Sequence, residues 1–429
     1  MKKAFLASLL ILYLATACNG TLKDPAGESA EPQTATVSDT ANRLFPQHTA
    51  YAAGSILPNH RNQEQLDQDV RDFYDYWKAT YVMEAGQDAN GSQIYRIAFG
   101  KGIQAARSTV SEGQGYGMII VATMAGYDPD ARAIFDGLWR FVRAHPSEVD
   151  PRLMDWKVPE SEYGNDSAFD GDADIAFGLL LADAQWGSTG AIDYKAEADK
   201  MITAIMESTI GNESRLPLLG DWVGDGDEVY NQYTPRSSDF MLVNFKAFAA
   251  SSGDETWSEV VSNSQKVMSD LQSNYSPVTG LLPDFIVLAG EGHVPEPAQP
   301  DFLEAESDGA YSYNAGRVPW RVGSDALLYG DEVSTTIVQK ISLWAESASG
   351  GDPHAIKAGY DLEGIPLPDS DYFTSFFAAP LGVAAMLNPE QQQWLNDIYD
   401  SVYNTHEDYY EDSVTMLCLI TMTGNAWVP

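Results

Sequence analysis

Three short stretches gather the residue types that do acid–base chemistry. Ser111-Glu112-Gly113-Gln114-Gly115-Tyr116-Gly117-Met118 sets a glutamate among glycines. Ala168-Phe169-Asp170-Gly171-Asp172-Ala173-Asp174 carries an aspartate at every second position. Tyr313-Asn314-Ala315-Gly316-Arg317-Val318-Pro319-Trp320-Arg321 combines an amide with two arginines. A protonated carboxyl facing an ionised one is the equipment of general acid–base hydrolysis. For a glycosidic bond, the acid protonates the leaving oxygen and the other group works from the far side of the sugar. Glu112 is the candidate acid, although local sequence alone favours a helix-capping glutamate beside a Gly-rich turn. Its glycines leave room for a substrate against the backbone, and Tyr116 can donate a hydrogen bond or stack. Asp172 is expected to cap the helix that follows. A calcium loop is disfavoured, because an EF-hand would need Gly and Glu where Ile175 and Leu181 stand. The six histidines (48, 60, 145, 293, 354 and 406) are scattered, so neither a metal nor a cofactor is expected.

Taken together, the stretches resemble the active site of family 8 glycoside hydrolases. The octapeptide around Glu112 is similar to the acid motif of that family. The run from Ala168 to Trp186 is similar to its A-S/T-D-A/G-D-x-x-I-A signature, with Phe169 and Gly178 as departures. By this resemblance Asp170 contacts and distorts the sugar at the scissile bond, and Arg317 lies in the cleft. In one branch of the family an Asp general base stands where this chain has Asn314. The chain resembles a second branch, in which a Glu on an upstream loop takes over. Such a loop occupies 289–312. Glu304 is its candidate base, with Glu306 the alternative and Asp301 and Asp308 behind them. Phe302 and Leu303 are expected to anchor the loop and desolvate Glu304, and Asn314 to hold the water. The resemblance implies an (α/α)6 barrel and inversion at the anomeric carbon. It also implies an acid whose pKa is raised by burial and a neighbouring carboxylate.

These residues need a scaffold, and the apolar periodicity supplies one. Trp257, Val260, Val261, Val267, Met268 and Leu271 share one helical face; Ile134, Leu138, Phe141 and Val142 share another. The pattern predicts helices at 62–80, 114–126, 130–145, 172–187, 192–209, 236–251, 254–274, 322–330, 333–348, 372–387, 389–403 and 410–424. Long irregular connections at 83–113, 146–171, 210–235, 275–321 and 349–371 separate them. Loops of that length are usually functional. Helical hairpins in series with little strand signal fit an all-α toroid, though periodicity alone allows other packings. Trp156, Trp222 and Tyr372 stand at loop–helix junctions and are candidate platforms for sugar rings, alongside Tyr313.

The first residues read as targeting signal rather than fold. Lys2 and Lys3 precede an apolar run, Ala4 to Ala17, too short to span a bilayer. It ends at a lipobox-like Leu14-Ala15-Thr16-Ala17-Cys18, with Cys18 the lipidation candidate. Residues 1–18 are therefore read as signal, 19–45 as a flexible tether and 46–429 as one catalytic domain. Cys418, the only other cysteine, is expected to be a small buried hydrophobe. The net charge of −37 disfavours nucleic acid and anionic membrane as partners. The expected enzyme is secreted, lipid-anchored to a bacterial cell surface and monomeric. It would cut β-1,4 linkages inside β-glucan, either cellulose or mixed-linkage β-1,3-1,4-glucan. Chitosan is the alternative substrate, and a non-catalytic glycan-binding lipoprotein the alternative from another class.

Overall fold

A computed structural model describes residues 41–159, 164–224 and 228–429, which belong to one compact unit, Ser38–Pro429. The signal, Cys18 and all of the tether before residue 41 lie outside the described residues.

Among the described residues, twelve α-helices alternate between two concentric rings. The odd-numbered ones, α1 (Gln63–Tyr81), α3 (Ala131–Ala144), α5 (Tyr194–Ser208), α7 (Thr256–Asn274), α9 (Glu332–Ser349) and α11 (Gln392–Tyr403), bury one face each. The even-numbered ones, α2 (Ser111–Thr123), α4 (Phe169–Trp186), α6 (Leu242–Ser252), α8 (Val318–Tyr329), α10 (Ser375–Ala385) and α12 (Tyr409–Met422), are buried nearly all round. An amphipathic helix needs one covered stripe, whereas an all-apolar one must be enclosed. The sequence thus sorts outer from inner. Each inner helix packs on the next, α12 returns to α2, and each outer helix rests on an inner one. The result is a closed (α/α)6 barrel, and all twelve expected helices are present.

Small residues set the closest crossing. A Cβ on Gly171 would come within 2.2 Å of Ser111 Oγ, and one on Gly115 within 2.5 Å of the Asp174 side chain. The glycines of the Glu112 stretch therefore serve helix packing, not substrate access: Gly113 lies against Tyr409 and Gly117 against Ile97.

Alternation also puts the amino-terminal ends of all six inner helices at one end of the barrel. The other ends of five of them, all but α6, are strapped by residues 42–56. Backbone N–H groups of Asn42, Phe45, Thr49, Ala52 and Ile56 donate to the carbonyls of Gln185, Ala125, Gly424, Leu327 and Met386. Phe45 is buried against the core, so the stretch read as tether is already docked over residues 41–45. Among the described residues, three two-stranded antiparallel ribbons lie in the long connections: β1 (Val82–Gln87) with β2 (Gln93–Ile97), β3 (Thr109–Val110) with β4 (Lys157–Val158), and β5 (Ile286–Ala289) with β6 (Val294–Pro297). Among the described residues no helix is long and apolar enough to cross a membrane. Cys418 is fully buried, as expected of a small hydrophobe.

Candidate active site

Helices α2 and α4 begin three residues earlier than the periodicity implied, and that places the acids. Glu112 and Asp170 each occupy the first helical turn, where the unpaired N–H groups and the helix dipole favour negative charge. Asp172 shares that first turn but does not cap the helix; it is fully buried and accepts from the Met154 N–H at 2.9 Å.

The open end of the barrel holds a cavity of about 430 Å³. Glu112, Asp170, Glu304, Asn314, Arg317 and Trp156 all line it. Arg317 is the hub. Its Nη1 donates to Glu112 Oε2 at 2.6 Å and to Asp170 Oδ2 at 2.7 Å; its Nη2 donates to Ser238 Oγ at 2.8 Å and Asn314 Oδ1 at 3.0 Å. Arg317 is 1% exposed, so this guanidinium is held by its partners and not by water. A planar fork with five donors can serve several acceptors at once, which an ammonium cannot do in this geometry.

The two acids respond differently to the same arginine. Burial is the largest influence on Glu112, and with the negative charge of Asp170 beside it the carboxyl is pushed up to about 7 despite Arg317 and a hydrogen bond from Tyr409. Asp170 is also buried, but Arg317 and Arg236 together outweigh desolvation and hold it below the usual carboxylate range. A carboxyl held up beside one held down is the division of roles that acid catalysis requires.

Glu304 stands on the loop before Tyr313 and is gripped at both oxygens. Arg236 Nη2 donates to Oε1 and Asn314 Nδ2 to Oε2, each at 2.9 Å. Buried Asp308 organises this loop, accepting from the N–H groups of Leu303, Glu304 and Ala305 at 2.6, 2.9 and 3.0 Å. Buried Asp284 does the same for the other strand of chain, accepting from Ser312, Asn314 and Ala315. Phe302 anchors the loop against Tyr230 and Phe285. Leu303 does not: it is 37% exposed, since the turn around Asp308 points it outward. Glu306 and Asp301 are exposed and absent from the cavity lining.

The expected aromatic platforms separate. Trp156 and Tyr313 line the cavity; Tyr372 is exposed beside it, its hydroxyl 2.8 Å from that of Tyr313. Tyr116 is completely buried, so it cannot meet a sugar. One turn after Glu112 it points inward, its hydroxyl accepting from Arg317 and its ring edge-on to Trp320. Trp222 is outside the lining too. It packs in a satellite cluster beneath the Glu304 loop, edge-on to Tyr230.

Sequence reasoning missed Arg236, Phe99, Tyr409 and Tyr410, and it offered Asp308 as a lesser candidate base, whereas Asp308 is buried and spends its carboxylate on the loop's own N–H groups. Phe99, 41% exposed, lines the cavity. Tyr409 donates to Glu112 Oε1 at 3.0 Å, and Tyr410 to the Tyr313 carbonyl at 2.7 Å. The available signal was Glu407-Asp408-Tyr409-Tyr410-Glu411-Asp412, a tyrosine pair among carboxylates at a helix start. Among the described residues no group of three or more His, Cys, Asp or Glu could hold a metal ion.

Residues 67–424 match the model of Glycosyl hydrolases family 8. The chain is 41% identical over 390 residues to a "Beta-glucanase" of Niallia circulans, covering 90% of this chain and 91% of that protein. It is 38% identical to an "Endoglucanase" of Bacillus sp. (strain KSM-330), covering 90% and 82%. A solved apo structure of a β-1,3-1,4-glucanase from Paenibacillus sp. X4 superimposes with a TM-score of 0.85 at 40% identity, covering 90% of this chain and all of that one.

Proposed function

The chain belongs to glycosyl hydrolase family 8 and is a glycoside hydrolase, and from that premise we propose that it cuts β-glucan internally, at β-1,4 linkages, with inversion. The observation that carries the reading is a single cavity holding Glu112, whose pKa is raised, and Glu304, which Asn314 and Arg236 pin. Protonated Glu112 delivers its proton to the leaving glycosidic oxygen. Glu304 takes a proton from a water that attacks the anomeric carbon from the opposite face. Asn314 cannot act as the base, since an amide takes no proton at neutral pH; it orients Glu304 and offers the water a hydrogen bond. Asp170 stays ionised and binds the sugar at the scissile bond. Arg317 stabilises the carboxylate left on Glu112 after transfer. Trp156, Phe99, Tyr313 and Tyr372 offer flat apolar faces to sugar rings.

The names of the similar proteins support β-glucan as substrate, with mixed-linkage β-1,3-1,4-glucan and cellulose both inside the reading. The leader favours secretion, with lipid anchoring through Cys18 at a bacterial surface; the enzyme is read as a monomer. The test is reducing-sugar release from barley β-glucan, carboxymethylcellulose and chitosan, with the anomer of the first product read by NMR. The expected result is α-anomer from a β-glucan and none from Glu112→Gln. Release from chitosan alone would replace the substrate, β-anomer would replace the mechanism, and binding without release on any of them would favour the non-catalytic binder.

A further inference from the structure

Two different donors hold the two oxygens of Glu112. Arg317 Nη1 lies 2.6 Å from Oε2, and the Tyr409 hydroxyl lies 3.0 Å from Oε1. A guanidinium only donates, whereas a phenol hydroxyl both donates and accepts. Protonating Oε2 would put a hydrogen on the oxygen that the guanidinium needs as acceptor. Protonating Oε1 costs nothing of the kind, because the tyrosine hydroxyl can turn and accept.

We propose that Tyr409 is a positioning residue that keeps the catalytic proton of Glu112 on Oε1, the oxygen away from Arg317, and hands it to the leaving group. The inference rests on Glu112 being the acid. In the resting state the Oε1–H bond is held by the Tyr409 oxygen. During the reaction the Oε1–H bond breaks as the proton joins the glycosidic oxygen, and the C–O bond to the leaving sugar breaks with it. The tyrosine hydroxyl keeps its own proton throughout and turns to donate it to the new carboxylate. That last bond is charge-assisted and so stronger than the resting one.

Three further features support the assignment. Tyr409 is 2% exposed yet lines the cavity, so its hydroxyl is shielded from bulk water and set at the reacting end. It is fixed at the first residue of α12, where Asp408 caps the helix and its ring rests on Tyr81 and Phe99. Gly113 makes room for it: a Cβ at that position would sit 2.8 Å from the Tyr409 hydroxyl oxygen. The next residue after the acid is thus glycine because the tyrosine occupies the space. The groups that face the Glu112 carboxyl are Arg317, Asp170, Arg321 and the hydroxyls of Tyr409, Tyr116 and Tyr410. Among the three tyrosines, only Tyr409 bonds to it.

The test is Tyr409→Phe, which removes only the hydroxyl. On barley β-glucan, kcat should fall about tenfold, a fraction of what a whole general acid supplies. The alkaline limb of kcat/KM should move to higher pH, since the ionised acid loses a donor. On a dinitrophenyl β-cello-oligosaccharide, whose leaving group departs without protonation, the loss should be under about twofold. Equal losses on both substrates with an unmoved alkaline limb would overturn the proposal and leave Tyr409 a packing residue. Gly113→Ala pushes the hydroxyl off Glu112 from the other side and should reproduce the pattern; it carries the same test if Tyr409→Phe does not fold. Glu112→Gln is run in parallel. If that variant keeps its activity on β-glucan, it is the acid reading of Glu112 that fails, whatever Tyr409→Phe does.

Discussion

Asn314 joins Glu304 to Arg317: its Nδ2 donates to the carboxylate at 2.9 Å, while its Oδ1 accepts from the guanidinium at 3.0 Å. An amide does both, whereas an ionised carboxylate there could accept from Arg317 but not donate to Glu304. Asn314→Asp would set two carboxylates against each other, and the pair would share a proton with a raised apparent pKa. We expect kcat on β-glucan to fall by about 10² and the acid limb of the pH profile to move upward. A wild-type kcat would mean that the Asn314–Glu304 hydrogen bond is not needed for the reaction.

On the proposed mechanism the alkaline limb belongs to Glu112. Its pKa is raised to about 7 by burial first and by Asp170 second. The active form is the protonated one, so kcat/KM should fall as pH rises through that value. A profile flat to pH 9 would remove Glu112 from the acid role.

Much of this was legible in the sequence, and the boundary between legible and hidden is physical. The outer helices declared themselves through faces such as Trp257, Val260, Val261 and Leu271. Glu112, Asp170 and Arg317 stood out because each lies in a short motif of unusual composition. The starts of α2 and α4 were read late because their first turns are polar and glycine-rich, as a turn's would be. Tyr116 was misplaced for a related reason: its polar tip suggested a ligand, but its position one turn after Glu112 aims it at the barrel axis. Arg236 and Tyr409 act through partners that local pattern does not reveal; Arg236 and Glu304 are 68 positions apart, and Tyr409 and Glu112 are 297.

Asp308 gives the Glu304 loop its shape. Three backbone N–H groups converge on its carboxylate, and the residue is 1% exposed. Asp308→Ala leaves those donors without their acceptor, at about 1–3 kcal/mol, but the damage is confined to a surface loop. The melting temperature should drop by only about 2–4 °C. We expect kcat to fall tenfold or more, because displacement of a catalytic group by an ångström can cost about 10² in rate. A variant with wild-type kcat would show that the loop keeps Glu304 in place without Asp308.

Gly171 sets the distance between the helices that carry Glu112 and Asp170. Its missing Cβ would overlap Ser111, with 2.2 Å to Oγ and 2.6 Å to the backbone carbonyl carbon. Backbone cannot move aside as a side chain can, so Gly171→Ala must spread α2 from α4. The expected cost is about 1–3 kcal/mol in urea unfolding, with loss of activity at temperatures where the variant remains folded. Full activity would mean that Glu112 and Asp170 tolerate a wider separation than the Arg317 bridge implies.

Below that bridge lies a second ion pair. Arg321 Nη1 and Nη2 meet the two oxygens of Asp174 at 2.9 and 2.5 Å, Asn244 donates to the same carboxylate at 3.0 Å, and Asp174 is fully buried. Removing one partner strands a buried charge, so Arg321→Met should lose about 3–5 kcal/mol of stability. Replacing both is a different experiment. Arg321→Met with Asp174→Leu exchanges a desolvated pair for apolar contact, which is often neutral or stabilising, and most of the loss should be recovered. Activity then separates two roles. Arg321 stands one turn after Arg317 on α8, with its guanidinium 5.6 Å from the Tyr116 ring, and Asp174 stands one turn after Asp170 on α4. If the pair aligns those two turns, the double variant will be stable but slow, with kcat reduced and KM little changed. If it only neutralises the barrel axis, kcat will return with the stability.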